Sequence, residues 1–160
     1  MSRKGQIKVR VLEPDVMYHS EIVSKLINRT IIDGKKSAAQ KQVYEALEQL
    51  KKETKSEDIL VTLEQALDNI KPKIEVRPRR IGGAVYQVPT PVRAHRQNSL
   101  ALRWLLIGAR AKANKQYHTF GEKLAAELIL ALKNEGPAVS KRAEVERMAD
   151  ANKAFAHLRW

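Results

Sequence analysis

The chain predicts a mainly α-helical single domain over residues 1–160, with about six helices and one extended two-stranded β-hairpin arm. Three observations predict it. Apolar residues recur at helical spacing along most of the length. One segment, about 73–89, breaks that rhythm with two β-type runs around Gly82-Gly83. No repeat, low-complexity stretch or long linker divides the chain, whose length suits one core.

Each element has its own signal. A basic N-terminal segment, about 1–15 and containing Arg3 and Lys4, is expected to be flexible. Ser20 caps a first helix with Ile22, Val23, Leu26, Ile27 and Ile31 on one side, which Asp33-Gly34 ends. A second follows Lys35-Lys36-Ser37, with Ala39, Val43, Leu47 and Leu50 in register. Ser56 starts a third, with Glu57 and Asp58 in the first turn, where acid suits the helix dipole. Its apolar set is Leu60, Leu63, Leu67 and Ile70, and Pro72 stops it. After the hairpin, Thr90-Pro91 leads into a helix containing Leu102, Leu105, Leu106 and Ala109. A fifth spans roughly Phe120 to Leu132 and is expected to end at Gly136-Pro137. The last runs from about Ser140 to Asn152, before a short aromatic tail ending at Trp160.

The two-residue loop sets the hairpin register. Ile81 faces Ala84, Arg80 faces Val85, Arg79 faces Tyr86 and Pro78 faces Gln87. Counted from the loop, Pro78 falls at a non-hydrogen-bonded pair, so its missing N–H costs the ribbon nothing. Arg77, Arg79 and Arg80 leave neither face purely apolar. The segment therefore reads as a free arm that rests on a polyanion, not as a core element.

Charge supports that reading. The chain has 30 Lys and Arg against 18 Asp and Glu, a formal net charge of +12 and a pI near 10.0. After Glu75 the next acid is Glu122, and between them lie Arg77, Arg79, Arg80, Arg93, Arg96, Arg103, Arg110, Lys112 and Lys115. The acids gather instead at Glu45, Glu48, Glu53, Glu57, Asp58, Glu64 and Asp68. A solvated basic face is the ordinary explanation of a charge run, but so long an acid-free span favours nucleic acid. On the fourth helix Arg96, Arg103 and Arg110 recur every seven residues, with Arg93 just before Arg96, opposite much of the apolar face. An arginine fork suits bidentate phosphate contact. Lys35 and Lys36, at a helix N-terminus, make a second phosphate seat. Lys141 and Arg142 of the last helix complete the candidate set with Arg3 and Lys4.

Other chemistry is poorly supported. Cysteine is absent, so disulfides, thiolate nucleophiles and Cys-based metal sites are excluded. No apolar run has the length of a membrane span, no signal-peptide stretch follows the basic N-terminus, and cytosol is the default compartment. Asp33-Gly34-Lys35-Lys36-Ser37 lacks P-loop spacing, and Gly82-Gly83 is a turn rather than a dinucleotide-binding loop. His19, His95, His118 and His157 have no ligand-like spacing. No nucleophile, base and oxyanion donor assemble, so the chain reads as a non-enzyme without cofactor or metal. Trp104 is assigned to the core. Tyr86 suits either stacking on RNA or a cross-strand contact, and Trp160 either packs on the domain or stacks on RNA.

Four blocks carry a resemblance. They are Asp33-Gly34-Lys35-Lys36-Ser37; Arg79-Arg80-Ile81-Gly82-Gly83 with Tyr86-Gln87-Val88-Pro89; Leu100-Ala101-Leu102-Arg103-Trp104; and the ending from Arg147 to Trp160. Together they resemble the small-subunit ribosomal protein S-seven family in its bacterial or organellar form, over nearly the whole chain. The resemblance implies a helical domain with a β-ribbon arm and primary binding to the 3′ major domain of small-subunit rRNA, where the family nucleates head assembly. It implies a place in the cytoplasmic ribosome near the mRNA and exit-site tRNA. The hairpin (Arg80, Gly82, Gly83, Ala84 and Tyr86) and the C-terminal helix would approach the tRNA, with S-nine and S-eleven as neighbours. Ala113–His118 is a few residues longer than the family's usual link, and Phe120-Gly121 stands where Met-Ala is common. The competing class is an architectural DNA-binding protein with a β-arm, against which the lack of an apolar wedge at Gly82-Gly83 argues.

Overall fold

The computed structural model describes residues 11–56 and 58–159; Arg3, Lys4, the rest of residues 1–10, Glu57 and Trp160 lie outside the described residues. Along the chain run α1 (Glu21–Thr30), α2 (Lys36–Thr54), α3 (Ile59–Ile70), β1 (Ile74–Ile81), β2 (Ala84–Pro91), α4 (Ala94–Ala111), α5 (Phe120–Leu132) and α6 (Pro137–Ala151), then a 3-10 segment (Lys153–Leu158). The fold is thus mainly helical with one antiparallel hairpin, as the periodicity predicts.

Local signals explain the boundaries. The Ser20 hydroxyl accepts from the Ile22 N–H at 3.3 Å to cap α1. Ahead of it, the buried Asp15 carboxylate accepts from the N–H groups of Met17 and Tyr18 and from the Tyr44 hydroxyl, tying this segment to α2. Thr119 and Glu122 form a capping box at the start of α5.

The far end of α5 differs from the expectation. Asn134, at φ 58°, supplies the left-handed residue, while Glu135 N–H reaches Leu130 C=O at 2.8 Å and Asn134 N–H reaches Ala131 C=O at 3.1 Å. This double bond pattern closes α5 before Gly136 is reached. Gly136-Pro137 therefore starts α6 rather than ending α5. Pro137 sits in the first turn, where no N–H is needed, so α6 begins three residues before Ser140.

α5 is apolar on several sides because it packs against α2, α3 and α4 together. Leu124 and Leu128 are wholly buried among Val23 and Leu26 of α1, Val43, Leu47 and Leu50 of α2, Leu63 and Ile70 of α3, and Leu105 of α4. Trp104 is half-buried against this core rather than inside it.

The hairpin has the predicted register, from Ile81 opposite Ala84 down to Ile74 opposite Pro91. Gly82 and Gly83 adopt φ of 57° and 90°, the paired positive values of a hairpin turn whose twist matches the strands. Val92 N–H bonds Lys73 C=O at 3.0 Å. Alternation from that pair puts Pro78, Pro89 and Pro91 all at non-bonded positions. Both outer edges are therefore blocked by proline against further strand pairing.

The arm is less free than expected. Its base packs on α6 and the 3-10 segment; Val88 is wholly buried, Glu75 is nearly so, and the Tyr86 and Phe155 rings lie 5.3 Å apart. The free-arm reading therefore does not hold at the base, where Val88 packs against the helices and the buried Glu75 is neutralised by Arg77 and Arg96. Only the tip around Gly82-Gly83 stands clear, with Val85 63% exposed.

Candidate nucleic-acid interface

α4 positions the basic side chains because its burial is one-sided. Ala101, Leu102, Leu105, Gly108 and Ala109 face the core, so the seven-residue repeat of Arg96, Arg103 and Arg110 stays outside. At 1.5 Å rise per residue these arginines span about 21 Å. Arg93 is exposed at the N-cap, its carbonyl accepting from Arg96 N–H and Gln97 N–H.

Both ends of this line are joined to other basic elements. At the C-terminal end, Arg110 Nη2 donates to the Thr30 carbonyl at 3.5 Å, one of the carbonyls left open by the end of α1. The loop leaving Thr30 leads directly to Lys35 and Lys36, both exposed, at an α2 N-terminus with no acid in its first turn. Arg29 of α1 donates to the Ser99 hydroxyl beside the same stripe. At the N-terminal end, Arg96 Nε donates to Glu75 Oε2 at 2.7 Å, and Arg77 of β1 donates from Nε and Nη2 to Oε1 at 2.6 Å.

Burial pushes the Glu75 carboxyl up. The hydrogen bonds from Arg96 and then Arg77, with their charges, more than offset this and hold it below its usual value. The result is a nearly buried carboxylate under two half-exposed guanidinium groups.

The remaining predicted residues are placed differently. Lys112 turns inward to Glu127 Oε2 at 3.0 Å, its side chain 12% exposed. Glu127 is fully buried in α5 and accepts the Ala138 N–H at 3.1 Å with its other oxygen, so it also caps α6. Arg142 donates to the Asn69 carbonyl and lies beside Glu146 on the side where α6 meets α3. Lys141 pairs with Glu144 on the surface. Arg79 is half-buried on the arm; Arg80, Gly82, Gly83 and Ala84 are exposed at its tip, and Tyr86 leans on Phe155. The link after α4 is drawn back onto α5 by Lys123, whose ammonium bonds the Lys112 carbonyl and Asn114.

The arrangement can therefore offer one run of cationic forks from arm base to α1–α2 loop. It brings together Arg77, Arg93, Arg96, Arg103, Arg110, Lys35 and Lys36, and leaves Lys112 and Arg142 outside. Sequence reasoning missed Arg29, a basic residue on an otherwise ordinary helix. It also missed Glu75 as an organiser, although its same-face spacing to Arg77 and its place before the acid-free span were legible. Among the described residues no group of three or more His, Asp or Glu is placed to hold a metal ion, and no helix is long and apolar enough to cross a membrane.

Comparison with known proteins finds relatives along nearly the whole chain. A family model described as "Ribosomal protein S7p/S5e" matches residues 2–153. The chain is 52% identical over 158 residues to the small ribosomal subunit protein uS7 of Thermosipho africanus, covering 99% of each chain. It is 51% identical over 160 residues to uS7 of a Sulfurihydrogenibium species and 51% identical over 160 residues to that of Dictyoglomus thermophilum, each covering 100% of both chains.

Proposed function

The chain belongs to the ribosomal protein S7p/S5e family, structural and non-enzymatic proteins of the small ribosomal subunit, and on that premise we propose how it works there. It is a primary rRNA-binding protein of the 3′ major domain, nucleating assembly of the subunit head in the cytoplasmic ribosome. The observation that supports this is the acid-free run of arginines on α4, joined through Glu75 to the arm and through Thr30 to the Lys35-Lys36 loop.

A positive line of this length matches several successive phosphates along a folded RNA strand. Guanidinium forks can take them bidentately, and the rigid helix fixes their spacing. Arg77, Arg93, Arg96, Arg103 and Arg110 with Lys35 and Lys36 are the central rRNA contacts; Arg3, Lys4, Arg79, Lys141 and Arg142 add to them. Lys112 stands apart from these contacts, since its ammonium is held by Glu127. The exposed arm tip, Arg80 to Ala84, reaches toward the mRNA and exit-site tRNA, with Tyr86 at its root, and S-nine and S-eleven are the protein neighbours.

The test is binding of the purified chain to a transcript of the 3′ major domain with no other protein present. Binding that protects one region of the transcript, weakens steeply with salt and precedes every other head protein supports the proposal. Attachment only after other head proteins are bound would refute primary binding. Crosslinking from position 84 in intact ribosomes tests the arm separately: crosslinks to tRNA or mRNA support its placement, and crosslinks confined to distant rRNA refute it.

A further inference from the structure

An acid has no evident use on a face that binds phosphate, yet Glu75 stands in the middle of this one. It is nearly buried, and its carboxylate bridges side chains from two separate elements: β1, which carries Arg77, and α4, which carries Arg96. Each guanidinium spends only part of its five N–H donors on the carboxylate, Arg96 through Nε and Arg77 through Nε and Nη2, and both remain about half exposed, at 51% and 55%. The Glu75 carbonyl also accepts from the Thr90 hydroxyl at 3.3 Å, which ties the second strand to the same point.

We propose that Glu75 is a positioning residue for the rRNA interface: one buried carboxylate draws Arg77 of the arm and Arg96 of α4 together and so fixes the arm against the basic face of the helix. Without it, two like charges from separate elements repel at close range, and the Arg77 and Arg96 guanidinium groups move apart even though the arm base stays packed. With it, their outward donors are held at a set separation before RNA arrives, so less ordering is required on binding. The proposal rests on the rRNA-binding reading above and adds which residue sets its geometry.

Glu75→Gln separates this role from simple electrostatics. The substitution raises the net charge by one, and charge alone would tighten binding. Positioning predicts the opposite. The full-length chain is titrated with the 3′ major domain transcript at fixed salt, alongside a thermal melt. Val88 burial and the Lys73 N–H bond to Glu146 still anchor the arm, so E75Q is expected to melt cooperatively. It should bind on the order of ten-fold more weakly, the effect of displaced charge-assisted hydrogen bonds.

A double-mutant cycle gives the readout that a merely structural role would not move: Arg96→Gln should weaken binding several-fold less in the E75Q background than in the wild type. Equal or tighter binding by E75Q, or an equal effect of Arg96→Gln in both backgrounds, would overturn the proposal. If E75Q fails to fold, Glu75→Asp decides, because it keeps the charge but is one methylene too short to reach both arginines. Weakened binding supports positioning and wild-type affinity overturns it. A wild-type chain that leaves the transcript unbound would instead overturn the rRNA-binding reading itself.

Discussion

Shortening the arm should leave the domain's stability nearly intact, while a smaller change at its base should not. Replacing Arg80–Val85 by Asn-Gly keeps Arg79 opposite Tyr86, now flanking the turn as Ile81 and Ala84 do in the native hairpin. The strands of eight residues reach about 25 Å, and the replacement removes about 7 Å of that. Of the deleted side chains only Ile81 is half-buried, and Val85 is 63% exposed, so the stability change should be below about 1 kcal/mol. For a chain of this size that is no more than about 4 °C in Tm. Val88→Ala removes two methyl-sized groups from a fully buried site, at about 0.8 kcal/mol each plus a cavity term, or about 2–3 kcal/mol in total. Its melting temperature should fall by roughly 4–12 °C. Circular dichroism melts of both variants, paired with binding to the 3′ major domain transcript, check this. The shortened arm should retain most rRNA binding and, with the crosslinker placed on the new Asn-Gly turn, lose crosslinks to tRNA. A fall of about 10 °C or more for the shortened arm would make the tip a structural flap. An unchanged Val88→Ala melt would refute the packed base.

Two further outcomes follow from buried charge. Glu127→Ala strands the Lys112 ammonium and uncaps α6, and should cost about 3–5 kcal/mol by chemical denaturation; a loss under about 1 kcal/mol would mean the pair is dispensable. Glu75 has a carboxyl held below its usual value, so its contribution is fully present above the unfolded-state pKa and is lost as pH falls through the folded one. The difference in Tm between the wild type and Glu75→Gln should therefore be constant near neutrality and shrink progressively below about pH 4; a difference independent of pH down to about 2 would contradict the pairing.

Most of the fold was legible because its signals are local. The Ser20 cap, the spacing of Leu124, Leu128 and Leu132, and the Gly82-Gly83 turn depend on neighbours within a few residues, and each lies where the sequence places it. The end of α5 was misread because Gly-Pro serves equally as a stop or as a start. The Asn134 closure that decides between them depends on backbone bonds the sequence does not display. For the site, the α4 arginine repeat was legible from period alone. The inward turn of Lys112 was not, since it depends on Glu127 of another helix, and Glu75 looked like the last acid of a strand until α4 supplied Arg96. Long-range pairing of charge was the information the sequence lacked.

The central claim is that the α4 face grips rRNA phosphates. It is tested most directly by the salt dependence of transcript binding for the wild type and for a variant with Arg93, Arg96, Arg103 and Arg110 all changed to Gln. With the helical circular dichroism intact, the variant should bind far more weakly, and the slope of log K against log salt should become shallower by roughly 0.7–0.9 for each phosphate that is no longer neutralised. An unchanged affinity and slope in the folded variant would contradict the account.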